Sequence, residues 1–110
     1  MYHYSARQVR VIDGDTVDVE IDLGFSTFVK QRLRLYGINA PEKNRAASRG
    51  AGIAALQHLE SLLCAGPCEV VTKKDATEKY GRYLAELFVN GENLNDRMVK
   101  DGFAAPYMLD

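Results

Sequence analysis

No apolar run in the 110 residues approaches the roughly 18–20 consecutive positions a membrane helix needs, so a helical span is excluded. The opening stretch, MYHYSARQVR, lacks the apolar centre of a secretory signal. These absences predict a cytoplasmic protein with no membrane partner, secreted only if a leader has been removed. Cysteine is scarce: the chain has two, Cys64 and Cys68, both in CAGPC. Two do not make a disulfide framework, and a lone pair lacks the partner ligands of a structural zinc site. We expect reduced, structural thiols, with a Cys64–Cys68 bridge as the alternative. Positive charge is not in excess either, since 14 Lys and Arg face 15 Asp and Glu for a net charge of −1. A surface coated for non-specific nucleic-acid binding is therefore not expected. A local basic site remains compatible, because clustering matters more than the total. Internal repeats, low-complexity tracts and linkers are also missing.

What is present suits a single domain spanning residues 1–110, with 46% hydrophobic and 26% charged residues. Gln8–Ile12 reads as a short strand. Thr16–Leu23 alternates as Val17, Val19 and Ile21 against Asp18, Glu20 and Asp22, the period of a half-buried strand. Thr27–Tyr36 alternates again, with Val29, Leu33 and Leu35 on one face and Lys30, Arg32 and Arg34 on the other. YGINAPEKNRAASRG has no apolar period and reads as a long loop, the kind that is usually functional. Ile53, Leu56, Leu59, Leu62 and Leu63 then recur at helical spacing over Gly52–Leu63, stopped by Ala65-Gly66-Pro67. Glu69–Lys73 is a short strand, KKDATEKYGR a charged loop, and Tyr83–Val89 a strand closed by Asn90-Gly91. Asn93 can cap a last helix, Leu94–Lys100, which Gly102 ends. Three strands, helix, two strands, helix is mainly β with α, and fits a five-stranded barrel of oligonucleotide-binding (OB) topology.

Four pieces carry candidate chemistry: DGDT (13–16), RLRLYGINAPE (32–42), EKYGR (78–82) and GFAAPY (102–107). The first offers carboxylates, the second two arginines on one strand face followed by Asn39 and Glu42, the third Lys79, Tyr80 and Arg82. Arginine is planar, always charged and donates in pairs to phosphate oxygens. Two from different segments can hold a phosphate and stabilise charge building on it. Oxygen ligands suit a hard cation that polarises the same phosphate, and a spare carboxylate can orient or deprotonate water. Phosphodiester cleavage is the reaction such a set serves.

In these pieces the sequence resembles the staphylococcal nuclease (thermonuclease) family. VIDGDT, RLRLYGINAPE and KYGR stand in that family's order and at similar separations, and NLNDRMVKDGFA fits its layout. The resemblance runs from about Gln8 to Tyr107. It implies an OB-type five-stranded barrel with two to three helices, and calcium-dependent (Ca2+) hydrolysis of DNA and RNA that leaves 3′-phosphates. By the same resemblance Asp15 is the first calcium-ligating carboxylate, Asn39 stands at the second, and Ala40 supplies a backbone carbonyl. Arg34 and Arg82 correspond to the phosphate-binding arginines, and Glu42 to the general base. Lys79, Tyr80 and, more loosely, Tyr107 correspond to the nucleotide pocket. Asn39 replaces a common aspartate, which keeps an oxygen ligand but removes one negative charge and so is expected to weaken calcium affinity. Ala40 replaces a common threonine, which loses a hydroxyl but not a carbonyl. The expected partners are DNA and RNA, bound by a monomer.

Each residue also has a structural reading. Asp15 could cap a turn, Arg34 and Arg82 could be exposed strand charges, Glu42 could cap the helix that follows, and Asn39 suits a turn before Ala-Pro. Arg32 reads as a salt-bridged or solvated neighbour. His3 and His58 read as non-catalytic, one near a terminus and the other on the polar side of the helix. Tyr36 and Tyr83 read as packing or surface. The Asp18, Glu20, Asp22 row reads as a solvated face that repels DNA, leaving Lys30, Arg34, Lys79 and Arg82 as the landing surface. The rival to a nuclease is an OB-type module that binds nucleic acid or a protein partner without cutting.

Overall fold

A computed structural model describes residues 2–77 and 81–107, and of Tyr2 and residues 74–77 the backbone alone. In chain order it contains β1 (Tyr2–Asp13), β2 (Thr16–Asp22), β3 (Phe28–Leu35) and β4 (Ile38–Asn39). A 3-10 turn, Ala46–Ser48, leads into α1 (Arg49–Leu63). Then follow β5 (Cys68–Thr77), β6 (Tyr83–Val89), β7 (Glu92–Asn93), α2 (Leu94–Lys100) and β8 (Ala105–Pro106). Among the described residues no helix is long and apolar enough to cross a membrane.

The sheet runs β3-β2-β1-β5-β6, and β3 also pairs with β6, so the five strands close into a barrel. The closing pair is parallel and short, Leu33↔Tyr83 to Leu35↔Ala85, while the other pairs around the ring are antiparallel. Inside lie Val17, Leu33, Leu35, Val70 and Leu87, with Leu59 of α1 and Leu94 and Met98 of α2 closing the core. The expected barrel with its helices is therefore the fold. β4 and β8 form a separate two-stranded ribbon in which Asn39 faces Ala105.

Several boundaries differ from the periodic reading. β1 begins at Tyr2, well before Gln8, and has a register shift between Arg7 and Arg10 where Gln8 takes φ 51°. A bulge of this kind adds a residue to one strand and breaks the period-2 alternation. β5 continues to Thr77 through most of the charged run, because backbone pairing as far as Thr77↔Tyr83 needs no apolar side chain. The long loop contains β4, the 3-10 turn and the first residues of α1.

The packing face of α1 also differs from the leucine-rich stripe. Gly52, Ala55 and Leu59 are its buried residues, whereas Ile53 is exposed. Small residues let the helix axis come close. A Cβ on Gly52 would lie 2.5 Å from the Lys43 nitrogen and 2.6 Å from the Glu42 carbonyl carbon. The Asp18 and Glu20 carboxylates are not a free solvated row: Arg32 grips Asp18 through two bonds of 2.7 and 3.0 Å, and Arg7 holds Glu20 at 2.9 Å. The β2–β3 register puts Asp18 directly opposite Arg32. Cys64 and Cys68 are both free thiols, and burial pushes the Cys68 thiol up to about 11.

α2 is as the sequence marks it. The Asn93 side chain accepts the Asp96 N–H at 3.1 Å, and the Phe103 N–H returns to the Met98 carbonyl at 2.9 Å beyond Gly102, whose φ is +84°. Asn95, buried on α2, donates to the Tyr36 and Ala85 carbonyls at 3.0 Å each and accepts from Leu87 N–H at 3.2 Å. It fixes this helix against the strand ends beside the candidate site.

Candidate active site

The β1–β2 turn, Asp13-Gly14-Asp15, is squeezed from two sides. A Cβ on Gly14 would lie 2.7 Å from the Ala55 Cβ and 2.9 Å from the Ala40 Cβ, so glycine lets α1 and residue 40 close on the turn. Asp15 is consequently 8% exposed. Its Oδ2 accepts the Ala40 N–H at 2.8 Å, its Oδ1 accepts the Thr16 hydroxyl at 3.1 Å, and its carbonyl accepts the Leu35 N–H at 2.8 Å. The backbone of residue 40 and the end of β3 are thus assembled around one residue.

Register delivers the first arginine. Arg34 stands opposite Thr16 across the β2–β3 pair and, at 8% exposed, is buried rather than displayed on an open strand face. Its Nη1 donates to the Leu35 carbonyl at 2.8 Å and its Nη2 to Asn39 Oδ1 at 3.3 Å, with Asp15 Oδ2 at 3.6 Å from the same Nη2. Barrel closure delivers the second. The parallel β3–β6 pair starts at Tyr83, so the preceding Arg82 reaches back to Thr16, its Nη1 donating to the hydroxyl at 3.4 Å. Asp15, Arg34, Asn39, Ala40 and Arg82 therefore share one corner of the barrel rim. Thr16, which joins Arg82 to Asp15, ends the DGDT stretch but is not singled out there as a site residue; barrel closure brings out its role.

Glu42 is not in that corner by its side chain. Its carboxylate accepts the Arg45 Nε–H at 3.1 Å and is 58% exposed, while its carbonyl accepts the Ser48 hydroxyl at 2.7 Å. Its backbone nevertheless runs alongside the site, for the next residue's N–H points to Asp13 Oδ1 at 3.5 Å. Burial raises the Asp13 carboxyl above its ordinary value, the Lys43 N–H opposes that, and the neighbouring Asp15 charge adds to it. Tyr107 is held by its backbone, donating to the Gly37 carbonyl at 2.8 Å, with a partly exposed ring. Lys79 and Tyr80 lie outside the described residues. Of the landing-surface residues, Lys30 is exposed on the outer wall but Arg34 faces the rim corner.

Among the described residues no three His, Cys, Asp or Glu side chains gather as a metal cluster. The donors that do converge, the Asp15 carboxylate and the Asn39 amide oxygen flanking Arg34, are all oxygen. Oxygen-only donors are the kind that suit a hard cation such as calcium.

Known proteins resemble this chain along most of its length. Residues 32–110 match the family model described as staphylococcal nuclease homologue. Protein ParB of Escherichia coli is 37% identical over 115 residues, covering 90% of this chain and 55% of ParB. The thermonuclease of Staphylococcus hyicus is 31% identical over 98 residues, covering 87% of this chain and 55% of that enzyme. Endonuclease YhcR of Bacillus subtilis is 29% identical over 111 residues, 91% of this chain and 9% of its own length. The chain thus spans about half the length, or less, of these relatives.

Proposed function

The chain belongs to the staphylococcal nuclease homologue family, and on that premise we propose that it is a calcium-dependent, sugar-non-specific nuclease domain, monomeric and cytoplasmic, that hydrolyses phosphodiester bonds of DNA and RNA and leaves 3′-phosphates. The observation that carries this reading is the meeting of Arg34 and Arg82, from separate elements, at the Asp15–Thr16 corner. Two guanidinium groups with an adjoining oxygen-donor set are what a phosphodiester's charge requires.

Asp15, Asn39 and the Ala40 carbonyl would hold the cation, which when bound supplies Lewis-acid polarisation of the phosphate. Arg34 is preorganised: its bonds to the Leu35 carbonyl and Asn39 fix the plane of its guanidinium. It therefore presents its remaining donors to a phosphate oxygen with little reordering. Arg82, hung on the Thr16 hydroxyl, neutralises a second oxygen and assists the leaving group. Glu42 orients or deprotonates the attacking water after leaving Arg45. That exposed i,i+3 pair is worth only about 0.2–1 kcal/mol, so its loss is a small part of any activation barrier. Tyr107, with Lys79 and Tyr80, contacts the nucleotide.

The carboxylate of Glu42, facing Arg45 rather than the corner, is the one observation that favours a second reading, a catalytically weak module that binds nucleic acid or a protein partner. Supercoiled plasmid DNA and a single-stranded RNA, incubated with calcium or with a chelator, separate the two. Calcium-dependent cleavage of both, with 3′-phosphate ends, supports the nuclease. Retention of both nucleic acids on the protein without cleavage in calcium supports the module.

A further inference from the structure

α1 touches the site at two places and the C-terminal end of α2 at a third. Ala55 packs on Gly14, Gly52 packs on the Glu42–Lys43 backbone, and one turn beyond Ala55 the His58 ring reaches the far end of α2. His58 Nε2 lies 2.7 Å from Asp101 Oδ2, and its ring stacks on Phe103 with centroids 4.1 Å apart and planes 15° from parallel. Arg97 Nε holds the same Asp101 oxygen at 2.7 Å while its Nη1 grips Glu92 at 3.0 and 3.1 Å. Arg97 thus secures Asp101 within the α2 region, and His58 ties that region to α1. Asp101 is held below the usual carboxylate range, chiefly by the His58 bond.

From Asp101 the chain leads directly to the site. Gly102 turns it, Phe103 follows, and Ala105–Pro106 pairs with Ile38–Asn39, with the Tyr107 N–H closing on the Gly37 carbonyl at 2.8 Å. A groove of about 400 Å³ separates Asn39–Pro41 on one wall from Gly102–Ala105 on the other. The tail therefore backs the two residues, Asn39 and Ala40, that stand beside Arg34 and Asp15.

We propose that His58 is a positioning residue for this site: bonded to Asp101 and stacked on Phe103, it holds the Gly102–Pro106 tail against β4 and so fixes Asn39 and Ala40. Its effect on turnover rests on the nuclease reading above, whereas its effect on the β4–β8 ribbon does not. A short ribbon of two residues a side has little stability of its own, and takes its order from what anchors its ends.

The test compares wild type, His58→Ala, His58→Gln and His58→Phe in the full chain. In His58→Ala, amide hydrogen exchange at Tyr107 should quicken by about tenfold while the Leu35 and Tyr36 amides of the barrel stay as in wild type. The kcat for DNA cleavage should fall by about tenfold with KM within roughly twofold, because a displaced Asn39 impairs the geometry more than the binding. Gln, whose amide can still donate to Asp101, should restore most of both. Phe keeps an apolar ring on Phe103 without the bond, should fall between Ala and Gln, and carries the test if Ala fails to fold. Tyr107 exchange unchanged in folded Ala and Phe variants overturns the proposal, as does a Gln variant no better than Ala. If the wild type cleaves nothing, the nuclease reading fails, and the exchange comparison still decides whether His58 holds the tail.

Discussion

The Arg34 guanidinium and the Asp15 carboxylate lie 3.6 Å apart with each residue 8% exposed, so each is the other's compensating charge in a nearly dry corner. Breaking such a pair from one side leaves a buried charge unmatched. Asp15→Asn should therefore lower unfolding stability by about 3 kcal/mol as well as abolish calcium-dependent cleavage. Adding Arg34→Met in the same chain should recover most of that stability without recovering activity. Urea denaturation of the three variants checks this, and a double variant weaker than Asp15→Asn would show that the corner is not held as an ion pair.

Glu42, the proposed base, separates chemistry from folding, because its exposed carboxylate contributes little to the folded state. Glu42→Gln should cut turnover by a factor on the order of 10²–10⁴, the range of a positioned acid or base, with an unchanged denaturation midpoint. Arg45→Ala, which frees Glu42 from its 3.1 Å partner, should leave turnover equal or higher. Steady-state kinetics on a defined oligonucleotide decides, and full activity of Glu42→Gln would remove this residue from the mechanism.

In the proposed cation site, Asn39 is the residue expected to set the affinity. Its Oδ1 already accepts from Arg34 at 3.3 Å, and a carboxylate there would add a charge to an oxygen set that holds a single one. Asn39→Asp should tighten calcium binding by roughly tenfold, about 1.4 kcal/mol. Calorimetry without substrate measures it directly. Equal or weaker binding would place Asn39 among Arg34's supports rather than among the ligands.

Asp101 should make stability pH-dependent in a stated direction. Its folded carboxyl titrates below the ordinary value of 3.8 because His58 and Arg97 bond the ionised form. Between the two values the unfolded chain binds more protons than the folded one, so stability rises with pH there. The contribution is complete above pH 3.8 and is lost as pH falls through the folded value. Asp101→Asn should be less stable than wild type near neutrality, and that gap should close in more acidic buffer. Denaturation midpoints at several pH values check it; a gap independent of pH would assign the loss to packing.

Much of this protein is legible in its sequence because the signals are local. The alternation of Val17, Val19 and Ile21, the Asn90-Gly91 turn and the Asn93 cap each act within a few residues, and β2, β6 and α2 appear where those signals stand. The chemical identity of the corner is legible too, since Asp15, Arg34 and Arg82 lie in short distinctive stretches. What only the tertiary structure decided is arrangement between distant segments. The bulge at Gln8 and the continuation of β5 depend on backbone pairing, to which side-chain periodicity is blind. α1 buries Gly52 and Ala55 rather than Ile53, because the space left by Gly14 and the Glu42 backbone rewards small side chains. Arg82 meets Thr16 because β3 and β6 close the ring, and Glu42 faces Arg45 because a rotamer answers to its neighbours in space. Sequence supplies the groups and their local conformations, and closure of the barrel decides which of them share a charge.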